Sequence, residues 1–235
     1  MFTGPQIVKD GLVLYLDSTN SKSYPGSGNT WFDISGNSNH GTLVNFTGPG
    51  STTTSGFNTT TKYMMFDRHL GTSDGTQNNR VTVPTSTSLQ QCLSQNGVTI
   101  EIWLRMDTYY CTALTRWAGP WEIYYCTSLV HRTIGTNGSD GNSGYSYTNK
   151  LGTFHQIVGT HNGSSRRLYV NGESVLSDTN VVSNQDSSAG LGIGAYFDGT
   201  YAFFGAMPVY KIYNRALSQE EVSQNFNALK GRFRI

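Results

Sequence analysis

The chain has 235 residues, 36% of them apolar and 13% charged, with a formal net charge of +1. That balance supplies no sustained field for a polyanion, so nucleic acid is not the expected partner. Nor does any apolar run approach the roughly 20 residues of a spanning helix, so membrane insertion is not expected. The N-terminal MFTGPQIVKDG lacks the basic start and apolar middle of a signal peptide, which predicts a protein made in a cytoplasm and not exported by the ordinary route.

This length carries one core, and 27 glycines, 14 tyrosines and many Ser, Thr and Asn predict short strands joined by turns. One all-β domain is expected over residues 1–235, with residues 1–10 as an N-terminal arm. Cys92, Cys111 and Cys126 are an odd set. In a reducing compartment they are free thiols; the alternative is a Cys111–Cys126 pair across strands.

Residues 11–17 (GLVLYLD) alternate Leu12, Leu14 and Leu16 against Val13 and Tyr15, a strand with one buried face. After a Pro25-Gly26 turn and Trp31-Phe32 comes DISGNSNHG, a loop rich in oxygen donors. Asp33, Asn37 and Asn39 are the candidate metal ligands, and a hard cation such as calcium is the ion they would take. The same residue types also make Asx turns with no metal, and a single carboxylate is a poor calcium cage. Residues 45–79 are mostly Gly, Ser, Thr and Asn around a short core strand at Tyr63-Met64-Met65-Phe66-Asp67, followed by a strand at residues 80–84.

Residues 98–106 (VTIEIWLRM) form the cleanest strand, Val98, Ile100, Ile102, Leu104 and Met106 on the core face, Thr99, Glu101, Trp103 and Arg105 on a face turned to water or to a sheet rim. Residues 107–147 concentrate aromatic rings among Arg116, His131 and Arg132. Half of those rings are expected in the core by strand parity. Trp117, Trp121, Arg116 and Tyr124, near the Gly119-Pro120 turn, are the candidate ligand-binding residues, since exposed rings stack on the apolar faces of sugars. Residues 137–144 (NGSDGNSG) read as a loop. Strands follow at 154–160 and 167–170, and Asn171-Gly172 signals a two-residue hairpin. Arg166 and Arg167 read as a solvated edge.

Residues 203–213 have a sheet period with Phe204, Ala206, Tyr210 and Ile212 on one parity, although Pro208 suits an edge or a bulge. Ser218 with Glu221 makes a capping box, so a helix is predicted over 218–230 with the stripe Val222, Phe226 and Leu229. Gly231 reads as its left-handed stop and residues 231–235 as a basic tail that partly offsets the helix dipole, docking onto a larger assembly being the alternative.

Four ordered blocks carry a family resemblance: GLVLYLD with WFDISGNSNHGTL, VTIEIWLRM, GTFHQIVGTHNGSSRRLYVNGESV, and LGIGAYFDGTYAFFGAMPVYKIYNRALSQEEVSQNF. Together they resemble the laminin-G-like branch of the concanavalin A-like lectin/glucanase jelly rolls, which implies two antiparallel sheets with one C-terminal helix at the flank. The resemblance implies a further caution for calcium, because many relatives carry an acidic residue where this chain has Met207-Pro208-Val209. The opening and closing wording is similar to tailed-phage structural proteins, notably those of marine cyanobacterial phages. That implies a non-enzymatic virion protein, a capsid decoration or a tail-fibre component, forming a homo-oligomer, with other virion proteins and host glycans as its expected partners. A stand-alone lectin is the alternative. A glucanase is the other, but the family's Glu-x-Asp-x-x-Glu pattern is absent, Trp103 standing where the second carboxylate would. None of the five histidines lies at metal-motif spacing, and His155 and His161 read as structural.

Overall fold

The computed structural model describes residues 5–46, 55–67, 78–94, 97–108, 112–117, 121–125, 129–134, 140–145, 151–179 and 190–235. In chain order the described elements are β1 (Leu12–Asp17), β2 (Thr30–Trp31), β3 (Gly41–Val44), β4 (Gly56–Phe57), β5 (Met64–Phe66), β6 (Arg80–Val83), α1 (Thr87–Ser94), β7 (Val98–Met106), β8 (Thr112–Trp117), β9 (Trp121–Tyr125), β10 (Leu129–Ile134), β11 (Asp140–Tyr145), β12 (Phe154–His161), β13 (Arg166–Val170), β14 (Glu173–Asp178), β15 (Leu191–Ile193), β16 (Gly205–Tyr213) and α2 (Gln219–Phe233). They make two antiparallel sheets. The first runs β14-β13-β12-β7-β16-β5-β4, with β1 also on β16, and the second runs β11-β10-β9-β8-β15-β6-β3-β2.

The core lies between the sheets. As the alternation requires, Val98, Ile100, Ile102, Leu104 and Met106 of β7 enter it, together with Leu14, Leu16, Val81, Val83, Leu191 and Ile193. The opposite face of the first sheet is not left to water. Helix α2 lies on it, so β7 and β16 are buried on both sides. This corrects the expectation that Glu101 faces water or a sheet rim, and the reason is coverage: Leu229 and Phe233 of α2 pack on Trp103, Val209 and Tyr15, and Val222 packs on Val158, Tyr169 and Tyr213.

Pro208 lies in a central strand, at the bulge that the sequence suggested as one of its two places: the β16–β7 register shifts between Ala206 and Val209. The shift breaks the simple parity. Ala206 joins Val209 beneath the helix, while Met207, Tyr210 and Ile212 point into the inter-sheet core.

Ser218 caps α2 as the sequence predicts, in a complete capping box with Glu221. The helix runs past Gly231, however, and its left-handed cap is Arg234 at φ 58°. Phe233 holds the added turn, its ring 4.7 Å from Trp103 and 4.9 Å from Phe154. Arg232 is not a free tail residue either, since its Nη1 donates to Asp17 Oδ2 at 2.7 Å. Asn171 and Gly172 both adopt positive φ, the paired signature of a type I′ hairpin between β13 and β14. Arg166 is buried and ion-paired to Asp178 across that hairpin at 2.9 Å, so only Arg167 keeps the solvated-edge role. Residues 140–144, expected in a loop, belong to β11, paired along β10.

Candidate functional site

Catalytic carboxylates are the first thing to test in a fold of this kind, and Glu101 is the acid of the central strand. The register sets Val158, Glu101, Lys211 and Tyr15 in one row across four strands. Glu101 and Lys211 are both fully buried, with Nζ 2.8 Å from Oε1. Trp103 Nε1 and Gln156 Nε2 also donate to Oε1, at 2.8 and 3.0 Å, and Asn225 Nδ2 of α2 donates to Oε2 at 2.7 Å. Four donors therefore satisfy this carboxylate inside the protein. Burial pulls the Lys211 ammonium below its usual range, opposed by Glu101.

The same network reaches the N-terminal arm. Asn225 Oδ1 accepts from the Val8 amide at 2.8 Å, its Nδ2 also donates to Tyr213 Oη at 2.9 Å, and Tyr213 Oη donates to the Val8 carbonyl at 3.2 Å. Burial and the nearby Glu101 charge both push the Tyr213 phenol up, so it stays a donor. Two residues further along β1, Asp17 accepts from Tyr15 Oη at 2.9 Å and pairs with Arg232. Chemically this is a polar lock between helix, arm and sheet. No substrate reaches it without α2 leaving.

The DISGNSNHG loop shows how its oxygens are used. Asp33 Oδ1 accepts from the amides of Tyr15 and Ser35, and Oδ2 accepts from Ser35 Oγ and the Asn39 amide, all within 2.9 Å. Asn37 Nδ2 donates to the Leu12 carbonyl, and Asn39 Nδ2 donates to the Val13 carbonyl and Ser88 Oγ. Only the bond from the Ser35 amide to Asp33 Oδ1 is a local Asx turn; the bonds to Tyr15, Leu12, Val13 and Ser88 are long-range and tie the loop to β1 and α1. Among the described residues no three His, Cys, Asp or Glu side chains gather as a metal site.

Arg116, Trp117, Trp121 and Tyr124 lie on the β8–β9 hairpin, and their side chains fall outside the described ones. The backbone register pairs Trp117 with both Leu191 and Trp121, and Arg116 with both Gly192 and Glu122. Trp117 and Trp121 thus share parity with Leu191 and Ile123, which are core residues, whereas Arg116 and Tyr124 hold the alternate positions. Cys111 and Cys126 lie outside the described residues. Cys92 is a buried free thiol on α1, pushed up to about 12 by its burial.

His155 and His161 are structural. His155 Nε2 lies 3.0 Å from Thr153 Oγ1, and His161 Nδ1 accepts from the Gly163 amide at 3.1 Å. Burial, with Arg166 adding to it, lowers His161 to about 4, so the ring is neutral at physiological pH. The lock on Glu101 escaped the sequence reading. Its one available signal was Asn225, a polar residue inside the apolar stripe of α2.

Two sheets, a covered central strand and an outer helix define a class. The chain belongs to the concanavalin A-like lectin/glucanase superfamily, whose laminin-G-type family model matches residues 73–223. Among solved structures it is similar to the binding domain of Paraclostridial mosquitocidal protein 1, with a TM-score of 0.63 and 20% identity over 94% of this chain and 52% of that one. It is similar also to the binding domain of botulinum neurotoxin serotype D/C, with a TM-score of 0.65 and 14% identity over 94% and 53%. A further similar structure is the botulinum neurotoxin DC binding domain in complex with SialylT, with a TM-score of 0.64 and 13% identity over 94% and 52%. The chain spans about half the length of these domains, and at such identities the likeness is one of fold. No curated protein matches it by sequence.

Proposed function

We propose that the protein is a non-catalytic recognition domain that binds glycans, carried on the particle of a tailed phage as a decoration or fibre component. The observation that carries the non-catalytic part is the burial of Glu101 under α2, neutralised by Lys211 and satisfied by four donors. A retaining glycosidase needs two carboxylates about 5 Å apart and open to substrate. The recognition part is supported by the solved relatives in fold, which are binding domains, one of them in complex with a glycan-named ligand. The virion is favoured by the opening and closing blocks, GLVLYLD and NRALSQEEVSQNFNALKGR.

A glycan array tests the recognition role: immobilised saccharides retain the wild-type chain, and an array with no retained signal refutes it. Mass spectrometry of purified particles tests the location, with the chain present in many copies as the expected result and its absence the contrary one. On the β8–β9 hairpin, Arg116 and Tyr124 hold the positions alternate to the core parity, which makes Tyr124→Ala the informative variant there.

A further inference from the structure

We propose that the segment between β15 and β16 is a saccharide-binding platform in which Tyr196, Phe197 and Tyr201 stack on the apolar face of a neutral pyranose. This deepens the glycan-recognition reading and rests on it. Phe197 is 45% exposed and Tyr201 57%, the highest values of any large apolar side chain among the described residues. The Tyr196 and Tyr201 rings lie 4.9 Å apart at 49°, an open corner rather than a closed stack.

Their exposure does not come from a loose loop. Tyr196 N donates to the Thr200 carbonyl at 2.9 Å, Gly199 N donates to the Tyr196 carbonyl at 2.8 Å, and Asp198 Oδ1 accepts from both the amide and the hydroxyl of Thr200. Two side chains, one opening β6 and one two residues before it, tie it down from outside: Arg80 Nε donates to the Phe197 carbonyl at 2.8 Å, and Asn78 Nδ2 donates to the Gly199 carbonyl at 3.0 Å. A preordered surface binds with little entropy left to lose.

Tyr201 also sits at φ 54°, a left-handed conformation that glycine takes freely and a bulky aromatic residue does not. Strain kept at an exposed ring points to use of that ring. The chemistry of the surface selects the occupant. Rings alternate here with the Tyr hydroxyls, Thr200, Asp198 and Arg80, an amphipathic mixture that suits a sugar, which has apolar C–H faces edged by hydroxyls. One acid and one base of opposite sign leave no net charge to recruit an anionic sugar.

Calorimetric titration with neutral and sialylated oligosaccharides tests the platform on wild type, Tyr201→Gly, Phe197→Ala and Tyr124→Ala. Wild type binds a neutral oligosaccharide, and Tyr201→Gly and Phe197→Ala each weaken it by about tenfold or more, the scale of one aromatic contact. Thermal unfolding separates this from a structural role: Tyr201→Gly unfolds at the same temperature as wild type or higher, and a marked fall overturns the proposal. Wild-type binding that both variants retain, with loss in Tyr124→Ala, overturns the platform and leaves glycan recognition standing on the hairpin. Binding of sialylated sugars alone overturns the neutral ligand. A wild type that binds no saccharide overturns the platform and the recognition reading together.

Discussion

At the scale of single residues, the Glu101–Lys211 pair decides how the outer face of the first sheet behaves. A buried ion pair gains little over a well-packed apolar pair, but removing one partner strands the other charge. Glu101→Gln is therefore expected to destabilise the fold by about 3–5 kcal/mol in chemical denaturation, and adding Lys211→Met is expected to recover much of the loss. A single variant as stable as wild type would contradict the lock. His161 supplies the pH dependence. Its folded value, about 4, lies below the unfolded value near 6.5, so the unfolded chain takes up a proton that the native ring refuses. The stabilising contribution is complete above about pH 6.5, falls between about 6.5 and 4, and amounts to about 3 kcal/mol at most. Denaturation at pH 7 and pH 4.5 should show that loss in wild type and a smaller one in His161→Gln. The sequence placed Glu101 on a strand correctly but not in its environment, because the Asn225 amide that completes its shell stands 124 residues away.

The elements differ in how far their ends could be read. Helix α2 begins where Ser218 and Glu221 say it does, since a capping box is local chemistry written in four residues. Its end is set by distant packing: the Phe233 ring finds Trp103 and Phe154, and the helix passes through Gly231 to reach them. The cap that results is an arginine in a left-handed conformation, so Arg234→Gly is expected to stabilise the protein by about 0.5–1 kcal/mol, the relieved strain less the entropy glycine adds to the unfolded chain, seen as a higher midpoint in thermal unfolding. An unchanged or lowered midpoint would mean that the Arg234 side chain outweighs its backbone strain. In β16 the strand was legible and its register was not. Val209, Lys211 and Tyr213 do share a face, but the bulge at Pro208 moves Ala206 onto it, and only the partner strand β7 reveals the shift. The hairpin at Asn171-Gly172 was fully legible because its turn demands two residues tolerant of positive φ.

For the molecule as a whole, alternation within strands sets the sandwich, and the second layer over the first sheet sets what that sheet conceals. Helix α2 and the arm at Val8 close Glu101 of β7 away from solvent, while the second sheet carries the β8–β9 hairpin and the exposed rings stand on the β15–β16 connection between the sheets. The proposed recognition role rests on this arrangement, in which the acid of β7 is sealed and the exposed rings of Phe197 and Tyr201 stand elsewhere. The most direct test is to incubate the purified chain with an oligosaccharide that it retains and to analyse the sugar by mass spectrometry. Recovery of the intact oligosaccharide at its starting length, from wild type and Glu101→Gln alike, is the predicted result. New reducing ends released by wild type and lost in Glu101→Gln would contradict the account.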